Sequence, residues 1–391
     1  MGRYLLTLFV ASVVLRAALV LALRDPMLGP DPSGPGGPTA DDVEFDSLAR
    51  HVAAGEGYVN REGRHTSFRA PGWPFFLAAL YAMGGDYPPV VYAVNCLLGG
   101  LSCVLTYLLA RHLFEEQPAR VAGWLAAFYL PHAWFATQFY SENLFAPLLG
   151  AATLMVMRSQ GLAGGLLLGL AILTRPFALL LAPLWIAWLA WGHRWSIAAL
   201  LAIGAAAVVG PWTYRNSLVH GQATLVATNG GSTFYGGNNS RVVQEPRLWG
   251  SWVSTVELPR RGEIEAQPTE VTRDRMEWRL GLEWATSRPL EALISLPMKL
   301  LRLIFWLPDY DAGRVNFVAR CLGFAPYLPL LLIGYFRAPW LVREWQPAHA
   351  VLIATVMTAL IFWGSPRFRD ANLPVLMLYA CAGLYRPEKR P

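Results

Sequence analysis

Five arginines, Arg69, Arg175, Arg215, Arg367 and Arg369, stand at the ends of apolar segments or in the polar stretches beside them. A knot of acids, Asp41, Asp42, Glu44 and Asp46, and a single Glu142 occupy similar places. Guanidinium groups bind phosphate through paired N–H donors, and a bare carboxylate beside them can take a proton from an incoming hydroxyl. Together they suffice for a displacement whose leaving group is an already ionised phosphate. Such a group needs cations rather than a proton, and only the nucleophile has to lose one. No metal is required by that chemistry. Each residue also has a plainer reading. An arginine snorkels to lipid head groups or pairs with an acid, Asp41 with Glu44 has the spacing of a capping box, and Glu142 suits the N-terminus of its own helix. Asn229-Gly230-Gly231 and Gly236-Gly237-Asn238-Asn239 offer amide donors, or simply turns.

The elements that must position these groups are apolar. Of 391 residues 54% are hydrophobic and 15% charged, against roughly a quarter charged in soluble domains. Apolar runs bounded by charge, Gly or Pro predict spans at 4–23, 88–110, 119–133, 142–157, 161–174, 176–191, 195–212, 318–336, 348–363 and 372–385. The expected fold is all-α: a polytopic membrane helical bundle of about ten spans, within a range of about nine to twelve, forming a single domain over 1–391. With a cytoplasmic N-terminus, Arg111, His112, Arg120, Arg158, His193, Arg194, Arg337, Arg343, Arg386, Lys389 and Arg390 all fall on the cytoplasmic side, as the positive-inside rule requires. The first run, with Arg3 before it, Arg16 inside it and Arg24 after it, reads as a retained anchor. A plasma-membrane protein with its active face outside follows. The net charge of +6 is scattered rather than gathered in a basic run, which argues against nucleic acid. Cys96, Cys103, Cys321 and Cys381 lie in apolar runs and form no disulfide or metal pattern.

Two long polar stretches then share the external side, 24–87 and 213–317. The first opens with the Pro/Gly-rich connector Pro26–Pro38 and continues into Asp41–Ala54, where Phe45, Leu48, Ala49, Val52 and Ala53 predict an amphipathic helix on the membrane surface. Trp73–Met83 is too short to span and reads as interfacial or re-entrant. In the second stretch Leu290–Leu307 is apolar but interrupted by Pro297, Lys299 and Arg302, an interfacial helix or an extra span.

The pattern resembles the GT-C superfamily of membrane glycosyltransferases, in particular the family 39-like relatives of protein O-mannosyltransferases and aminoarabinose transferases. The resemblance covers most of the chain. It rests on Asp41-Asp42-Val43-Glu44-Phe45 with Gly55-Glu56-Gly57-Tyr58, on Arg69-Ala70-Pro71-Gly72-Trp73-Pro74, on Ser141-Glu142 and on Leu173-Thr174-Arg175-Pro176. Arg215-Asn216 with Gly221, Gly236-Gly237-Asn238-Asn239 and Arg367-Phe368-Arg369 complete it. Asp42 stands where Glu is usual, Phe45 where Tyr is commoner, and Asp370-Ala371-Asn372 separates the arginines from Pro374. The resemblance implies Asp41 as catalytic base, Glu142 as a second acidic site residue, and Arg175, Arg215, Arg367 and Arg369 as donor-phosphate ligands. Asp42, Arg69, Asn238 and Asn239 are weaker candidates. It implies transfer of a monosaccharide from a polyprenyl-phosphate donor to a hydroxyl acceptor, a glycan, lipid or protein, by inverting displacement at the outer membrane face. No cofactor beyond the lipid-linked sugar is expected. Some relatives continue into a soluble C-terminal domain, so the acceptor-binding parts are expected to be minimal or supplied by the 213–317 loop.

Two other classes fit many spans with buried charge. A transporter or lipid flippase needs access from both sides and often carries inverted repeats, and no repeat of span lengths is evident here. A non-catalytic subunit of a cell-envelope assembly would need neither Asp41 nor the external arginines.

Overall fold

The structure, a computed structural model, describes residues 2–24, 40–85, 88–305 and 322–387. The connector Pro26–Pro38, Cys321, Lys389, Arg390 and the start of the 318–336 span lie outside the described residues. Among those described, every regular element is helical, apart from an isolated bridge between Val59 and His65. In chain order the principal helices are α1 (Gly2–Leu23), α2 (Ala40–Ala53), α3 (Gly72–Gly84), α4 (Pro88–Leu113), α5 (Glu116–Phe128), α6 (Glu142–Met157), α7 (Gly161–Thr174) and α8 (Leu181–Trp191). They continue with α9 (Trp195–His220), α10 (Gly230–Gly237), α11 (Glu270–Ser287), α12 (Pro289–Ile304), α13 (Tyr327–Arg337), α14 (Gln346–Ile361), α15 (Pro366–Asp370) and α16 (Leu373–Leu384). The expected spans each meet a helix. α1, α4 and α9 are long and apolar enough to cross a membrane, while α3, α6, α7, α13, α16 and the segment Pro176–Trp191 are apolar but shorter. The expected span 119–133 divides at Tyr129, because Pro131 follows and the chain turns extended there. The expected span 195–212 instead runs on to His220, despite Pro211.

Hydrocarbon gives no reward for bringing two apolar helices together, so close backbone packing must hold them. Gly161, Gly165 and Gly169, four residues apart on α7, meet α9 in this way. A Cβ on Gly165 would lie 2.2 Å from the Leu201 carbonyl oxygen, and one on Gly204 of α9 would lie 2.7 Å from that of Leu162. Gly99 on α4 makes room for Arg16 of α1 in the same manner.

The two long polar stretches, where described, fold onto the bundle. The apolar stripe of α2 is buried: Phe45 and Ala49 join Trp73, Leu77, Ala78 and Tyr81 of α3 in one cluster. α2 therefore buries its stripe against protein rather than lying on the lipid surface as expected, since α3 supplies the apolar partner. α12 has the opposite polarity to a surface helix of a soluble domain. Leu290 and Leu293 are 69% and 64% exposed, while Lys299 and Arg302 are buried. Lys299 Nζ donates to the Leu360 carbonyl at 3.1 Å and to Asn238 Oδ1 at 2.8 Å, and Arg302 Nε to the Trp249 carbonyl at 2.8 Å. Its 16 residues fall short of a hydrocarbon core.

Candidate active site

Five separated pieces of chain meet where α2, α6 and α15 begin. Asp41 lies in the first turn of α2 and Glu142 in the first turn of α6. Arg175 follows directly on α7, where Pro176 forces the backbone out of the helix. Arg367 sits in the one-turn helix α15, whose start is capped by the Ser365 hydroxyl accepting from the Arg367 N–H. Arg69 precedes α3 on a turn held tightly to α7: a Cβ on Gly72 would lie 2.8 Å from the Leu173 carbonyl oxygen and 2.7 Å from the Thr174 hydroxyl. Only glycine permits that approach.

The charges alternate. Arg69 binds Glu44 through Nε and Asp41 Oδ1 through Nη2 at 2.9 Å. Arg367 Nη1 lies 3.0 Å from Asp41 Oδ2 and its Nε 2.7 Å from Glu142 Oε1. Arg175 Nη1 reaches Glu142 Oε2 at 2.8 Å and donates to the Ser141 hydroxyl at 3.0 Å. The row thus runs Glu44, Arg69, Asp41, Arg367, Glu142, Arg175, with no net charge. Glu142 is fully buried, while Asp41, Arg69, Arg175 and Arg367 each keep part of the side chain accessible. The ring of Tyr140 lies under the Arg367 guanidinium, 4.1 Å from its centroid. Glu44 stood in the expected knot of acids and Ser141 in the Ser141-Glu142 pair, neither with a role of its own, and Tyr140 was not expected; its signal is proximity to Glu142.

Neighbouring acids on α2 are driven apart. Burial alone would raise the Asp41 carboxyl, but Arg69 and Arg367 outweigh it and hold the group well below the usual carboxylate range. Asp42 is 2% exposed, its Oδ1 has no partner, and burial followed by the Asp41 charge pushes its carboxyl up. The two neighbouring carboxyls are thus shifted in opposite directions.

The remaining expected residues stand elsewhere. Arg215 lies on the upper turns of α9, stacks on Trp212 and donates to the carbonyls of Thr66 at 2.7 Å and Tyr58 at 3.1 Å. Arg369 points away from Arg367 to Asp370 at 2.8 Å and to the last carbonyls of α12. Asn238 bonds the Ile361 carbonyl and Lys299, and Asn239 spans the Tyr235 carbonyl and the Arg241 N–H. The site is tied to the second external stretch through Glu270, which accepts from the Thr66 hydroxyl at 2.8 Å, the Ser67 N–H at 2.9 Å and the Thr228 hydroxyl. Among the described residues no group of three or more His, Cys, Asp or Glu side chains is arranged to hold a metal ion.

Residues 68–214 match the family model described as dolichyl-phosphate-mannose-protein mannosyltransferase. That segment contains Arg69, Glu142 and Arg175. No curated protein matches the chain significantly by sequence. Among solved structures the chain is similar to the archaeal oligosaccharyltransferase AglB from Archaeoglobus fulgidus in complex with an inhibitory peptide and a dolichol-phosphate. The TM-score is 0.51 and the identity 15%, over 97% of this chain and 50% of that one. The apo oligosaccharyltransferase of the same organism gives 0.52 and 14%, over 98% and 50%. ArnT from Cupriavidus metallidurans bound to undecaprenyl phosphate gives 0.44 and 16%, over 97% and 76%. The chain thus spans about half the length of the oligosaccharyltransferase chains it matches, and at these identities the likeness is one of fold. Over residues 68–214 the chain is thus similar to the dolichyl-phosphate-mannose-protein mannosyltransferase family, and over its whole length it shares the fold of the oligosaccharyltransferase structures.

Proposed function

We propose that the chain transfers a monosaccharide from a polyprenyl-phosphate donor to a hydroxyl acceptor, at the outer face of the plasma membrane, with its N-terminus in the cytoplasm. The observation that carries this reading is the alternating row of three carboxylates and three arginines at the mouth of the bundle. The family description names a dolichyl-phosphate sugar, and the AglB structure holds a dolichol-phosphate. Both agree with a lipid-phosphate donor.

In this reading Arg367 and Arg175 receive the donor phosphate, with Glu142 holding their guanidinium groups in place from the buried side. Asp41 is the base. Paired with two arginines it is a poor one, because its carboxyl is held low. A phosphate arriving at Arg367 competes for the same N–H donors, relaxes the Arg367–Asp41 pair and raises the Asp41 carboxyl toward its ordinary value. The donor thereby activates the base. The acceptor oxygen attacks the anomeric carbon and its proton passes to Asp41. The bond from the anomeric carbon to the phosphate oxygen breaks with inversion, and the extra charge on the departing lipid phosphate is met by Arg367 and Arg175. Arg69 keeps Asp41 oriented throughout, while Arg215 ties the first external stretch to α9.

The test is sugar release from radiolabelled polyprenyl-phosphate sugars by purified protein in lipid, wild type against Asp41→Asn at matched folding. Turnover that Asp41→Asn abolishes supports both donor class and base. Equal turnover by the two proteins sinks the role of Asp41.

A further inference from the structure

α11 carries an outward stripe that the row of charges at the bundle mouth does not use. Arg275, Trp278, Arg279, Leu282, Glu283 and Thr286 line a shallow, open hollow of about 610 Å³. The spacing puts all six on one face of the helix. Trp278 stacks on Phe234, ring centroids 4.4 Å apart, which fixes the indole as a platform while it still borders the cavity. Arg241, Arg260, Arg261 and Arg288 each hold a glutamate at 3.1 Å or less, whereas Arg275 and Arg279, one turn apart, are exposed like Arg247 and Arg273, enter no ion pair among the described residues, and feel only the longer-range attraction of Asp274 and Glu263. Two unpaired cations beside an aromatic platform suit an anionic ring with an apolar face. In the same lining Glu283 is already paired with Arg260 at 2.9 Å and the Thr286 hydroxyl donates to the Leu282 carbonyl at 2.9 Å, which leaves the Thr286 oxygen to accept from a ligand hydroxyl.

We propose that this stripe binds an acidic saccharide, the polar end of the acceptor, with the sugar ring on Trp278 and its anionic group between Arg275 and Arg279. The word acceptor rests on the transferase reading; the binding does not. The helix that carries the stripe is joined to the row at two points. Glu270, in the first turn of α11, bonds Thr66 and Ser67 just ahead of Arg69. Trp278 lies 5.9 Å from Phe362, close in sequence to the turn that carries Arg367.

The experiment is calorimetric titration of the protein in phosphatidylcholine nanodiscs with oligogalacturonate and, separately, with a neutral maltooligosaccharide. Wild type is expected to bind the acidic sugar, with affinity at least about tenfold lower in Arg275→Gln/Arg279→Gln and in Trp278→Leu, and to bind the neutral one far more weakly. Asp41→Asn, which stops turnover, is expected to keep this binding. Equal binding of the acidic sugar by wild type and the double variant overturns the proposal. So does the absence of saccharide binding, and so does arginine-dependent binding found only with phosphatidylglycerol vesicles, which would make the stripe a lipid contact. If the acidic sugar binds but no polyprenyl-phosphate sugar is ever turned over, the site stands and the transferase reading falls.

Discussion

Arg367 and Arg369 lie two residues apart in a one-turn helix and lead opposite lives. Arg367 is satisfied by the carboxylates of Asp41 and Glu142, from segments far away in sequence. Arg369 is held by Asp370, the carbonyls of Leu303 and Ile304, and the face of the Phe324 ring, with its Nη2 left without a hydrogen-bond partner among the described residues. Lys299 and Arg302 follow the second pattern, donating to backbone carbonyls and an amide. A carboxylate partner can be exchanged for another anion at small net cost, so Arg367 is free to serve a phosphate. A backbone carbonyl cannot be released without leaving a buried acceptor unpaired, so Arg369 belongs to the architecture.

The largest expected effect tests the carboxylate side of that contrast: Asp41→Asn lowers turnover of a lipid-phosphate sugar by about 10²–10⁴-fold without shifting the melting temperature by more than a few degrees. Next comes the contrast itself. Arg367→Gln lowers kcat/KM by about a hundredfold while the protein still folds, whereas Arg369→Gln leaves kcat/KM of the folded fraction within about threefold and costs about 3–5 kcal/mol of stability by stranding the buried Asp370. If both variants lose stability equally and activity equally, the two arginines do not differ in kind. Gly72→Ala is smaller, about 1–3 kcal/mol from overpacking against Leu173 and Thr174, and is expected to raise KM for the donor because Arg69 moves against Arg175.

The smallest effect concerns a buried acid with no cation. Glu277 of α11 is pushed up to about 7, chiefly by burial and partly offset by the Thr255 hydroxyl that donates to it at 2.8 Å. In the unfolded chain it titrates near about 4.3. The folded protein therefore holds the extra proton between those values. The contribution to stability is complete below about pH 4 and is lost as pH rises through about 7. Glu277→Gln is expected to raise the melting temperature at pH 8 by a few degrees and to leave it nearly unchanged at pH 4. An equal shift at both values would mean the carboxyl is already ionised at neutral pH.

Much of the bundle was legible because hydrophobic runs report depth. α1, α4, α6 and α7 begin and end within a few residues of the apolar blocks, and the charges at their ends drew attention to Glu142 and Arg175. Depth is only one coordinate. Arg367 and Arg369 share it, yet two residues of helix turn one of them through about 200°, and nothing linear in the sequence distinguishes them. Arg215 looked like a span-end cation because the span was expected to stop at 212; the helix continues to His220, so Arg215 sits within its last two turns against the first long polar stretch. Asn238 and Asn239 follow two glycines, as ligand amides would, but spend their side chains on the carbonyls of a sharp corner. The Gly161, Gly165, Gly169 spacing was present in the sequence and marks the α7–α9 contact as plainly as any charge.

The inverted polarity of α12 gives the surrounding lipid a mechanical part in the site. Its outer side, Leu290, Leu293 and Leu301, is stable only against hydrocarbon, and its last carbonyls are gripped by Arg369 in the same turn that carries Arg367. A load on that outer side is therefore carried along α12, past the break in its backbone ladder at Pro297, to the turn that holds both arginines.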